Sequence, residues 1–176
     1  MADCVNALKR WTGKASATVV YDSTVDEFTD GGLFKKVKGK RNIAIVGFTT
    51  DGDVFGGFFS VSVTEPAVHF VDPNSFVFSF ESHGRCKTPQ AFFVKKEWKA
   101  ANAGVLFCQN DNKGLVSFGW YFSGSFFIGN ERSDSMCWNL SCVFEGLNNT
   151  TLSGKDESWH NGPYHHCVGL IAVQMS

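Results

Sequence analysis

The sequence predicts a mainly β, α+β protein in which two antiparallel sheets pack as a sandwich with a few short flanking helices. Three observations lead there. Short apolar runs recur along the chain between turn residues, and 18 glycines are spread through it rather than clustered. The runs are rich in rings, with 15% of residues aromatic, a composition suited to a pleated, buried surface. Both faces of the clearest hairpin are apolar, which asks for a covering layer on each side. A chain of 176 residues has the length of one domain and can bury a core without disulfide or metal staples, so a single domain is expected over 1–176.

The elements follow in order. A short helix over 3–12, ahead of the core, carries Val5, Leu8 and Trp11 at helical spacing. A short strand follows at 19–21. In DSTVDEFTDGGLFKKVKGK (22–40) a turn leads into a second helix. Thr29 is its N-cap, Asp30 suits the positive end of the helix dipole, and Leu33, Phe34 and Val37 form one apolar stripe that Gly39 ends. NIAIVGFTT and DVFGGFFSV then make a hairpin around Asp51-Gly52. A two-residue type I′ turn there places Phe48 opposite Phe55, Gly47 opposite Gly56 and Val46 opposite Gly57. Gly56 and Gly57 in mid-strand leave room for neighbouring rings or a close backbone, and Gly57→Val is expected to overpack the site. Further strands are expected within 75–81, 91–95, 103–109, 114–120, 125–130 and 166–174, with a turn in NDNKG (110–114) and one helical turn within 95–102.

Charge and motifs exclude more than they indicate. Net charge is −1, which gives no global field for nucleic acid or an anionic membrane. Cations cluster locally at Lys35, Lys36, Lys38, Lys40 and Arg41, a weak candidate binding surface for nucleic acid with salt-sensitive affinity. The chain has no apolar run long enough to span a bilayer and no signal-peptide pattern at its start. Its six scattered cysteines, none in a CxxC pair, read as reduced thiols of a cytoplasmic protein. Nucleotide-binding glycine motifs, GxSxG, HExxH and an EF-hand loop are absent. His160, His165, His166 and Cys167 have poor spacing for zinc, so no metal and no cofactor is expected. In SHGRCKTPQ, His83 stands near Cys86, and Arg85 and Lys87 flank the thiol. Cys86 is therefore the candidate reactive thiol, with His83 as its neighbour, for a peroxide- or thiol-reactive enzyme.

YDSTVDEFTDGGLFKKVKGKRNIAIVGFTTDGDVFGGFF (21–59) resembles the opening of a TLDc domain, a family of the oxidation-resistance type. DPNSFVFSF, the Ser117-Phe118-Gly119 and Phe126-Phe127-Ile128 segments, NLSCVFEG, and LSG with VGLIAVQ resemble later parts of the same domain. The resemblance spans about 18–174, with Ser125 at a position where relatives carry an acid. It implies a two-sheet sandwich acting without catalysis, as a protein-interaction domain in the oxidative-stress response. It also implies binding to, or regulation of, the vacuolar proton pump. It carries over no catalytic residue.

Overall fold

The computed structural model describes residues 2–87, 89–99, 103–109, 114–120, 124–129, 135–148, 150–153 and 165–176. The first helix, α1 (Ala2–Thr12), turns Cys4, Ala7, Leu8 and Trp11 to one side, the stripe of a helix with one buried face. Val5, expected on that stripe, is not part of the packed cluster. After β1 (Ala17–Asp22) comes α2 (Asp30–Val37), whose start is capped as expected: Gly32 N–H donates to the Thr29 hydroxyl at 3.0 Å. Leu33, Phe34 and Val37 are buried, and Gly39 turns the chain out of the helix at a φ of 75°.

The remaining elements are β2 (Ile43–Thr49), β3 (Val54–Phe59), β4 (His69–Val71), β5 (Phe76–Glu81), β6 (Gln90–Phe93), α3 (Lys96–Lys99), β7 (Gly104–Phe107), β8 (Gly114–Trp120), β9 (Gly124–Gly129), β10 (Met136–Trp138), α4 (Leu140–Val143) and β11 (Cys167–Met175). One sheet has the order β1-β11-β2-β3-β5-β6 and the other β10-β9-β8-β7-β4, with every pairing antiparallel. The strands β4 and β10 and the helix α4 have only three or four residues each, too few to show a period in sequence. Of the turn expected over 110–114, residues 110–113 lie outside the described residues, and Gly114 begins β8.

The two faces of the six-stranded sheet are both covered, as the apolar hairpin requires. Ile43, Ile45, Phe55 and Phe59 enter the main core with Phe107, Val116 and Phe118 of the second sheet and with α2. Phe59 meets Phe107 edge-on at 5.7 Å between centroids, and Phe34 of α2 reaches the same ring. On the other face, Ala44, Val46, Phe58, Phe76 and Phe78 form a second cluster beneath α1. Trp11 crosses three outward rings of β5, lying 6.1 Å from Phe76, 5.8 Å from Phe78 and 5.9 Å from Phe80.

The hairpin register differs from expectation by one residue. Phe48 pairs with Val54, Gly47 with Phe55, Val46 with Gly56 and Ile45 with Gly57. The loop is three residues rather than two. Gly52 N–H donates to Thr49 O and Thr49 N–H to Asp53 O, while Gly52 alone in the loop takes a left-handed φ, of 86°. A type I′ turn needs Asp51 left-handed too, and it is not; a type I turn closed by a left-handed glycine forms instead. A one-residue slip exchanges faces, so Phe55 and Phe59 sit with Ile43 and Ile45, and Phe58 with Ala44 and Val46.

Candidate functional site

The tip of this hairpin delivers a carboxylate into the protein. Asp53 immediately precedes β3, and only 1% of it is exposed. A charge that deep needs partners, and the loop after β5 supplies them. Arg85 donates from a guanidinium nitrogen to Asp53 Oδ1 at 2.5 Å, and the His83 ring joins the same oxygen through Nδ1 at 2.9 Å. The same Arg85 nitrogen donates to Leu152 O at 2.7 Å. Arg85 thus ties three separate segments together: the hairpin tip through Asp53, its own 82–87 turn and the stretch at 150–153 through Leu152.

The turn itself is built locally. Glu81 Oε1 accepts the backbone N–H groups of Ser82 at 2.9 Å and His83 at 2.7 Å, and these two donors hold its carboxyl below the usual range. With those donors satisfied, His83 and Gly84 take left-handed φ values of 51° and 81° and the chain reverses. Ser82 closes the loop: its hydroxyl accepts from Cys86 N–H at 3.1 Å and lies 3.1 Å from Cys86 Sγ.

His83 and Cys86 therefore share a loop but have different partners. The imidazole is spent on Asp53 and the thiol meets Ser82, with no hydrogen bond between His83 and Cys86. A thiol nucleophile needs a base beside it, and a serine hydroxyl is not one. The Arg85 cation, expected beside the thiol, is turned to the buried carboxylate. In sequence Asp53 reads only as one of the two acids beside Gly52, which do not complete an EF-hand pattern. The available signal was a carboxylate at the mouth of an apolar strand, with SHGR elsewhere offering a guanidinium and an imidazole.

The basic run lies at the end of α2 and on the segment leading to β2. Lys35, Lys36, Lys38 and Arg41 are exposed and Lys40 is half-buried. Lys36 Nζ bridges Asp26 Oδ1 at 2.6 Å and holds that carboxyl below its ordinary range, and the Lys38 ammonium lies 6.0 Å from the centre of the Phe34 ring. Near the C-terminus, His165 is buried and His166 exposed, the alternation expected of neighbours in an extended segment. His165 and Cys167 line a gap with Ser135 and Thr49 that admits no water molecule. Burial pushes the Cys167 thiol up to about 11. His160 lies outside the described residues, and among those described no group of three or more His, Cys, Asp or Glu could hold a metal ion. No described helix is long and apolar enough to cross a membrane.

The geometry defines a class: a two-sheet antiparallel sandwich whose central hairpin is covered on both faces and carries a clasped loop at its tip. The chain belongs to the TLDc domain family, whose model matches residues 4–161. A search of curated proteins finds no match.

Proposed function

We propose that this protein acts by contact with other proteins in the oxidative-stress response of the cytoplasm, and that the vacuolar proton pump is the partner it docks on. The single observation that carries this reading is the family match over residues 4–161, since docking on the pump is what the resemblance implies for such a domain. The partnering of Cys86 with Ser82, and of His83 with Asp53, supports contact over thiol chemistry. The exposed cations Lys35, Lys38 and Arg41 at the end of α2 offer a surface for an acidic partner.

Direct binding tests it. Purified chain titrated onto purified vacuolar proton pump should bind saturably, and replacing Lys35, Lys38 and Arg41 by Glu should weaken that binding. Lack of binding overturns pump docking, and binding unaffected by the three replacements removes the basic surface from it.

A further inference from the structure

A second site lies away from the Asp53 clasp, on the outer face of the six-stranded sheet. There a cleft of about 330 Å³ opens between the end of α1, the end of β3 and the start of β5. That volume falls in the range of small-molecule sites.

Its lining has two chemistries. Aromatic side chains form one part: Phe76 is buried, Trp11 packs against it at 6.1 Å and Phe93 at 5.2 Å. Trp11 is half-buried and Phe93 is 43% exposed, so both present ring surface to solvent beside the cleft. The other part is polar and is held in place from behind. Asp72 is fully buried, and its carboxylate accepts the Ser60 N–H, the Ser60 hydroxyl at 2.8 Å and the Asn74 N–H at 3.0 Å. Asn74 in turn donates from its amide to the Ser60 hydroxyl at 3.4 Å. This fixes hydrogen-bond roles. Ser60 gives its proton to Asp72 and presents a lone pair, while Asn74 keeps a second N–H and its carbonyl oxygen for a ligand. Ser75, whose buried hydroxyl has no hydrogen-bond partner among the described residues, belongs to the same wall.

No charged side chain is among the described residues that line the cleft. A phosphate or carboxylate would meet no cation there, and an ammonium would meet no anion, since the Asp72 oxygens are already engaged. A ligand that fits is neutral, has one flat apolar face for a ring, and carries edge groups that both donate and accept hydrogen bonds. A sugar ring has this pattern: its C–H face stacks on an aromatic ring and its hydroxyls pair with amides and hydroxyls. We propose that this cleft binds a neutral sugar residue, stacked on Trp11 and hydrogen-bonded to Asn74 and Ser60. The proposal goes beyond the docking reading and does not depend on it.

The test titrates the full chain with glucose, N-acetylglucosamine and maltose, following tryptophan fluorescence and ligand-detected saturation-transfer NMR. Glucose 6-phosphate and adenosine serve as charged and planar controls. Saturable binding of at least one neutral sugar is expected. Glucose 6-phosphate should bind more weakly than glucose, and Asn74→Ala, at an exposed loop position, should weaken sugar binding about tenfold by removing a hydrogen-bonding group. Trp11→Leu should abolish the fluorescence response; because Trp11 also packs on β5, the Asn74 variant is the deciding one. Binding by none of the three sugars, binding of adenosine alone, or sugar affinity unchanged in Asn74→Ala overturns the proposal.

Discussion

The ring of Phe118 in β8 packs against the bare backbone of Gly57 in β3, so closely that a Cβ at position 57 would lie 2.6 Å from two of its carbons. The two sheets meet across this contact, and a side chain at 57 would have to push the ring out of a filled core. Gly57→Val is therefore expected to destabilise by more than about 1 kcal/mol. Phe118→Ala in the same chain should recover part of that loss, because it removes the atoms that clash. Denaturant unfolding of the two single variants and the double variant checks both statements. An unchanged midpoint for Gly57→Val contradicts the first.

Ser79 is fully buried in β5, and its hydroxyl has no hydrogen-bond partner among the described residues. An unsatisfied buried hydroxyl is a cost that a methyl group does not carry. Ser79→Ala should leave stability unchanged or raise it, by up to about 1 kcal/mol. A clear fall in the urea midpoint would mean that the hydroxyl is satisfied after all.

Asp53 anchors Arg85 and His83 from inside the protein, whereas the His83 side chain is 55% exposed. Removing the buried carboxylate strands Arg85, so Asp53→Ala should cost about 1–3 kcal/mol, discounted for the partial exposure of the arginine. His83→Ala should cost less than about 1 kcal/mol, as befits a half-exposed partner. Proteolysis should also cut the 82–87 turn faster in Asp53→Ala than in the parent chain, a difference visible by mass spectrometry.

Alkaline pH should loosen the fold in a defined window. Burial raises the Cys167 thiol from the usual 9.0 to about 11, so the folded chain keeps a proton that the unfolded chain gives up. Stability from this source is whole below the unfolded value and is lost as pH rises through the folded one. Tyr21, pushed up chiefly by burial, acts with the same sign at higher pH. Comparing urea unfolding at about pH 8 and about pH 11, the parent should lose on the order of 2–3 kcal/mol more than Cys167→Ala. Equal losses in the two chains would contradict this.

What the sequence made legible follows from periodicity and from turn chemistry. The two-sheet sandwich was readable because both faces of 43–59 are apolar, and α2 because Thr29, the Leu33–Phe34–Val37 stripe and Gly39 agree with one another. The hairpin register was not, because Asp-Gly serves both a two-residue and a three-residue loop, and only the φ of Asp51 tells them apart. The clasp was not legible for a different reason. Asp53, Arg85 and Leu152 are far apart in the chain, and a carboxylate in a turn reads as solvated until its burial is known. The cleft at Trp11 was hidden in the same way: Trp11 showed in sequence as part of an apolar stripe, Asp72 and Asn74 as the lead-in to a strand and Phe93 as a strand residue, with nothing to bring them together.

The central claim, that the protein works by contact and not through a thiol, is tested most directly by peroxide survival. Cells lacking the chain should be restored to peroxide resistance equally well by the parent and by Cys86→Ser. Failure of folded Cys86→Ser to restore resistance, at parental abundance, would contradict the account and assign the activity to that sulfur.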